Sequence, residues 1–331
     1  MQKRILIYGE GWDGAFANLL QSELIGRGFI VEIFDFTLIM PGIRNRSMLP
    51  RIKRRLFYSI FHQKIQTSLI TLAIKFLPHV LIVSKGINID LDTLKWFSSN
   101  GIQTVNWNPD DFFNKKNSSC NLINSLSEYD HIISPRPHLF KKYYDFGAKS
   151  IHFIDWYYVP NFHFDRKLQK NIEISFVGVW SPFREKFLAA LDLNIVVYGD
   201  GWGRSSSSFR TNNLVYPFNV SQVEMSSIFN RSLININILT PENSDISNLR
   251  FFEVPASGGL LATPKNDHSR SFFTNTENAL LYSSPEDLST LISTYDRSAL
   301  IQMANDGNSI ITSSGCAFSN RIDSLLSALC L

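Results

Sequence analysis

A chain of 331 residues is long enough for two domains of ordinary size. Its 44% hydrophobic and 18% charged residues exclude a disordered or low-complexity chain. The net charge of +3 is modest, no run of about 18 apolar residues offers a membrane span, and Cys120, Cys316 and Cys330 have neither metal-ligand nor redox spacing. Scattered thiols of this kind fit a reducing cytoplasm.

The opening MQKRILIYGE is a charged pair followed by a short strand, too quickly interrupted for a signal peptide. RILIYG reads as a strand and AFANLLQSELIGRG as a helix, with apolar residues at helical spacing and a glycine stop. Between them lies GEGWDG, in which Gly9, Gly11 and Gly14 form the G-x-G-x-x-G pattern of a dinucleotide site. Asp35 closes the next strand, FIVEIFDF, where a ribose-binding acid is expected. An NAD-dependent oxidoreductase is therefore one reading. Against it, Glu10 and Asp13 place negative charge where a pyrophosphate would lie, and Trp12 fills the loop. The preferred reading is a sharp strand-to-helix turn at the edge of a cleft, built from Gly11, Trp12 and Asp13.

Between Asp35 and Asp90 there is no acidic residue. The densest basic part of that stretch, RIKRRLFYSIFHQKI, interleaves Arg51, Lys53, Arg54 and Arg55 with Leu56, Phe57, Tyr58, Ile60 and Phe61. Two readings stand: a solvated basic helix whose apolar face is core, or contact of residues 44–65 with an anionic membrane. No nucleic-acid recognition motif accompanies the patch, so nucleic acid is not an expected partner.

HVLIVSKG, IQTVNWN, HIISP and KSIHFID continue the strands, with LDTLKWFSSNG a helix between the first two. In NWNPDDFFN, Asp110 is a candidate for acceptor binding or base work, with a helix N-cap after proline as the alternative. The irregular DWYYVPNFHFDRKLQKN reads as a linker, and after it a second series begins. IEISFVGVW, NIVVYGDG, LININIL, GGLLATP and ALLYSS read as its strands, separated by helical patterns. The predicted fold is α/β: two Rossmann-like β/α/β domains facing across a cleft. Residues 1–158 form the first domain, 159–315 the second, and a helix over 316–331 packs back on the first.

Chemistry concentrates in the second half. Asp245 and Glu253 have an acid-x7-acid spacing, and Arg250 lies one turn before Glu253 on a helix that ends at Ser257-Gly258-Gly259. Upstream, a strand ends at Gly178, and WSPFR brings Arg184 to the first turn of the next helix. Guanidinium groups and a helix amino end suit a diphosphate, an acid suits a ribose, and glycines permit close backbone approach. The residues alone leave surface charge on a β/α domain as an equal alternative.

The run from Asp245 to His268, with RFFEVPASGG and the triplet NDH, resembles the donor-binding region of the CgeB-like (spore-maturation-protein B-like) GT-B glycosyltransferases. FVGVWSPFR, VYGDGW and NWNPDDFFN resemble segments of that group in the same order. The resemblance implies metal-independent transfer from a nucleoside-diphosphate sugar to a glycan or lipid-linked acceptor, with no cofactor. It implies Glu253 on the nucleotide ribose, Arg250 and Arg184 on the diphosphate, and Asp245 toward the transferred sugar. His268, within the matched run, joins Asp245 and Asp110 as a catalytic candidate. Retention of anomeric configuration, bacterial surface polysaccharide synthesis and a place at the inner face of the cell membrane are further expectations. Besides the oxidoreductase, a catalytically inactive sugar-nucleotide-binding protein or a nucleotide-sugar epimerase would also suit a two-domain fold of this kind.

Overall fold

The computed structural model describes residues 2–12, 14–43, 48–115, 117–239, 241 and 247–331. They divide into two compact units, one formed by the chain up to Asp155 together with Ile322–Leu331, the other by Trp156–Arg321.

The first unit alternates strand and helix as β1 (Arg4–Gly9), α1 (Phe16–Gly26), β2 (Ile30–Asp35), α2 (Met48–Leu56), α3 (Tyr58–Phe76), β3 (Val80–Ser84), α4 (Leu91–Ser99), β4 (Gln103–Trp107), α5 (Cys120–Asn124), β5 (His131–Ser134), α6 (Phe140–Asp145) and β6 (Ile151–Phe153). Its six strands pair in parallel in the order β2-β1-β3-β4-β5-β6. Parallel pairing requires crossovers that put helices on the sheet faces, and the central strands become apolar runs buried on both sides. Ile5, Leu6 and Ile7 of β1 and Leu81, Ile82 and Val83 of β3 are all fully buried.

The second unit repeats the scheme with β7 (Ile172–Val177), α7 (Pro182–Ala189), β8 (Val196–Tyr198), α8 (Ser207–Asn212), β9 (Leu214–Tyr216), α9 (Gln222–Arg231), β10 (Ser232–Ile236), α10 (Leu249–Ala256), β11 (Leu260–Pro264), α11 (Asp267–Phe272), β12 (Leu280–Tyr282), α12 (Pro285–Thr294) and α13 (Arg297–Ser313). These strands, also parallel, run β12-β11-β10-β7-β8-β9. Strand β9 is an addition to the five expected here. The last helix, α14 (Phe318–Ala328), starts in this unit, and its residues from Ile322 onward belong to the first.

In each sheet the chain lays its strands outward to one side and then returns to the other side of the starting strand. The reversal falls between β1 and β3 in the first unit and between β7 and β10 in the second. Crossover helices leave opposite faces at such a point, and the carboxyl ends of the two strands open a crevice where α/β proteins bind ligands.

Candidate functional site

At the reversal point of the second sheet, β7 ends at Val177 and the chain passes through Gly178 into α7. The Ser181 hydroxyl accepts the Arg184 N–H at 3.3 Å, and Pro182 occupies the start of the helix, which has no need of its missing N–H. This cap fixes Arg184 in the first turn. Its Nη1 donates to the Val179 carbonyl at 2.7 Å, and its guanidinium lies 5.6 Å from the centre of the Phe176 ring.

The partner strand β10 leads to α10, whose cap is built the same way. The Asn248 side chain accepts the Phe251 N–H at 3.3 Å and donates to Asn237 Oδ1 at 2.8 Å, tying the helix start to the end of β10. Arg250 thus also lies in a first turn. Its Nε donates to the Val177 carbonyl at 3.3 Å, its Nη1 pairs with Glu253 Oε2, and its guanidinium is 5.6 Å from the Phe229 ring centre. The Arg250 side chain is 27% exposed and that of Glu253 only 3%. The strand end therefore presents cationic groups outward, with a carboxylate behind them.

Glu253 has a second neighbour that sequence reasoning missed. His163, with its side chain 1% exposed, accepts the Val159 N–H on Nδ1 at 3.1 Å. That bond assigns the ring proton to Nε2, which faces Glu253 Oε1 at 3.8 Å. Burial pushes the His163 pKa below its ordinary value; the Glu253 charge opposes the shift, and Arg250 adds to it. The Tyr157 hydroxyl is pushed up, first by burial and then by the same carboxylate. His163 sits in the segment read as a linker, and a lone histidine there carries no sequence signal.

The glycines of the motif have internal reasons to be glycine. Gly258 follows the end of α10 with φ 77°, and its N–H and that of Gly259 bond back to Pro255 and Val254 in a Schellman arrangement. A Cβ on Gly258 would lie 2.7 Å from Asp165 Cγ, and one on Gly259 would overlap the Asn235 side chain and crowd the Phe229 carbonyl. Both are buried, and their lack of a side chain serves the helix-to-strand junction. Gly178 remains at the strand end: its carbonyl accepts from the buried Trp202 Nε1 at 2.8 Å, and a side chain on Gly199 would overlap that carbonyl. The GDGWG loop is thereby locked to the loop that leads into α7 and Arg184.

His268 lies on α11 in an aromatic cluster, 5.0 Å from the Phe251 ring and 5.2 Å from Phe272, which places it beside α10. Asp245 lies outside the described residues, as does Asp13.

The first unit holds the rest. A Cβ on Gly11 would approach Asp35 Oδ2 to 2.6 Å, and Asp35 Oδ1 accepts the Thr37 N–H at 3.0 Å and the Thr37 hydroxyl at 2.5 Å. The acid that a dinucleotide fingerprint would commit to a ribose is packed on the glycine loop and holds its own turn. Gly9 lets α1 approach, since a Cβ there would lie 2.9 Å from Ala17 Cβ. Trp12 is partly exposed, and its carbonyl accepts from Asn18 Nδ2 at 2.6 Å. Asp110 caps no helix, which corrects that alternative; its carboxylate pairs with Lys85 Nζ at 2.7 Å at the carboxyl ends of β4 and β3. Arg136, 2% exposed after β5, donates to the Pro109 carbonyl at 2.9 Å. Burial lowers its pKa, and Asp110 and Asp111 pull it back up. Among the described residues no three His, Cys, Asp or Glu side chains gather as a metal-binding group.

Residues 184–327 match a family model described as glycosyl transferase-like, a span that opens on Arg184 and includes Arg250 and Glu253. None of the curated proteins compared with the chain matches it in sequence. Solved structures match over nearly the whole length. Sucrose-phosphate synthase from Thermosynechococcus elongatus is 11% identical with a TM-score of 0.71, covering 99% of both chains. Anabaena HepE, solved with UDP and glucose, is 12% identical with a TM-score of 0.66, again over 99% of both. A UDP-forming trehalose-phosphate synthase from Burkholderia xenovorans is 12% identical with a TM-score of 0.65, covering 99% of this chain and 98% of its own. The fold is that of these two-domain GT-B structures, and the second half of the chain is similar to the glycosyl transferase-like family.

Proposed function

We propose that the protein moves a sugar from a nucleoside-diphosphate sugar to a glycan or lipid-linked acceptor. The observation that carries this is the convergence of Arg184 and Arg250 on one strand end at the reversal point of the second sheet. When the bond from the sugar carbon to the diphosphate breaks, negative charge grows on the departing phosphate. Fixed cations and two helix amino ends stabilise that charge most where it develops, and they need no reorganisation to do so. In this reading Arg184 and Arg250 hold the diphosphate without a metal. Glu253, held in place by Arg250, takes the ribose hydroxyls. Gly178 leaves room at the strand end, while Gly258 and Gly259 set the position of α10.

The CgeB-like resemblance supplies the finer parts. Asp245 faces the transferred sugar, and configuration is retained, the leaving phosphate accepting the acceptor's proton on the same face. Asp110, paired with Lys85, and the Gly11–Trp12 turn serve the acceptor side, in the synthesis of a bacterial surface glycan at the cytoplasmic side of the membrane. HepE, solved with UDP and with UDP-glucose, and the UDP-forming synthase make UDP the first nucleotide to test.

The test is thermal unfolding in the presence of UDP, GDP, CMP, TDP or NAD, each with and without EDTA. A ligand that binds the folded state alone raises its stability by mass action. Stabilisation by one nucleoside diphosphate, insensitive to EDTA, is expected. Stabilisation by NAD alone overturns the reading.

A further inference from the structure

Helix α2, MLPRIKRRL, has no buried residue. At about 100° per residue, Met48, Ile52 and Leu56 fall on one face with Leu49 beside them. They are 77%, 47%, 71% and 79% exposed. A stripe of this kind on an ordinary surface helix is covered by core; here it points to solvent. Arg51 and Arg55 border it on one side and Lys53 on the other. The apolar strip continues over Phe57 to Ile60, which is 60% exposed at the start of α3.

Farther along α3, Ile65, Leu69 and Ala73 are buried in the core of the first unit. On its backbone side α2 lies against Gly42, φ 75°, where a Cβ would come within 2.9 Å of the Arg51 nitrogen. The apolar side chains of α2 are left to solvent.

We propose that α2 and the first turn of α3 form a docking surface for an anionic lipid bilayer. The proposal rests on none of the donor-site chemistry. Charge complementarity chooses the occupant: residues 36–89 contain no acid, so a second copy would set arginine against arginine across the same face. Protruding apolar side chains bordered by cations match the boundary between acyl chains and headgroups, where such helices lie in the plane of the surface. Each basic residue near an anionic surface strengthens attachment by about fivefold.

The experiment is co-sedimentation of the full chain with vesicles of phosphatidylcholine alone or mixed with phosphatidylglycerol, at low and high salt. Binding is expected to the mixed vesicles at low salt and to weaken sharply as salt rises. Ile52→Ser/Leu56→Ser should reduce it by about tenfold or more, and Arg51→Glu/Arg55→Glu should abolish it. Unchanged unfolding temperatures and UDP responses verify that both variants are folded and keep this outcome separate from that of the donor site. Failure to bind the mixed vesicles, equal binding to neutral ones, or undiminished binding by both variants overturns the proposal. So does a dimer in solution that Ile52→Ser/Leu56→Ser dissolves.

Discussion

Arg184 and Arg250 donate to main-chain oxygens two residues apart, Val179 at 2.7 Å and Val177 at 3.3 Å, so cations from different helices share the end of one strand. Their other attachments differ. Arg250 also neutralises the buried Glu253, whereas Arg184 lies beside the Phe176 ring.

Substitution should separate the two. Arg184→Ala removes a partly exposed cation bonded to a carbonyl, so stability should change by less than about 1 kcal/mol. Nucleotide affinity should fall by about tenfold or more, the worth of a charged hydrogen bond. Arg250→Ala leaves Glu253 buried without its counter-charge and should cost about 3 kcal/mol. Adding Glu253→Gln to Arg250→Ala should restore much of that stability and none of the binding. Denaturant unfolding and calorimetric titration with UDP read the two quantities; native affinity in Arg184→Ala would remove it from the site.

His163 ties the site to pH. Burial lowers its folded-state pKa, so the unfolded chain takes up a proton first as pH falls. Its contribution is fully present above the unfolded value near 6.5 and declines below it, by up to about 1.4 kcal/mol per pH unit, until the folded ring also charges. His163→Gln, which stays neutral, should flatten the unfolding free energy between about pH 6.5 and more acid conditions. A slope equal to that of the wild type would assign the acid sensitivity elsewhere, His131, His138 and His152 being lowered by burial too.

The Gly11–Asp35 contact makes a prediction against the dinucleotide reading. Asp35→Asn weakens the bonds to Thr37 and should lower stability by about 1 kcal/mol. NAD should give no protection to either protein. Protection of the wild type that Asp35→Asn removes would reinstate a cofactor site in the first unit.

The strands were legible because parallel sheets bury both faces, leaving apolar runs such as Ile5-Leu6-Ile7 and Val80-Leu81-Ile82-Val83. Strand β9 escaped notice because Leu214–Tyr216 is three residues long, follows a polar stretch and pairs only at the sheet edge. The alternation of elements announced the fold, but strand order depends on pairings distant in sequence. Nothing local in ISFVG says that β10 will lie beside β7. Spacing and resemblance single out Arg184, Arg250 and Glu253, but not the strand end at which they lie. Gly258 and Gly259 stand out by type, but the neighbours that a side chain there would meet, Asp165, Asn235 and Phe229, are far away in the chain. The apolar residues of α2 were equally visible in sequence, but whether they face core or solvent is a property of packing alone.

Trp202 offers the sharpest test of how the strand end is supported. Its ring is fully buried, 5.8 Å from Phe176 and 5.4 Å from Phe209, and its Nε1 holds the Gly178 carbonyl at 2.8 Å. Gly178 lies between the two residues whose carbonyls receive the arginines. Trp202→Phe keeps an aromatic ring but loses the donor and some volume, which should cost about 1–3 kcal/mol. If the bond positions the strand end, nucleotide affinity should drop severalfold in the folded fraction as well. Ile195→Val, in the same buried cluster, should cost about 1 kcal/mol with no change in affinity. A loss of affinity in Trp202→Phe that Ile195→Val does not share assigns the indole a positioning role; equal affinities in both would reduce Trp202 to core packing.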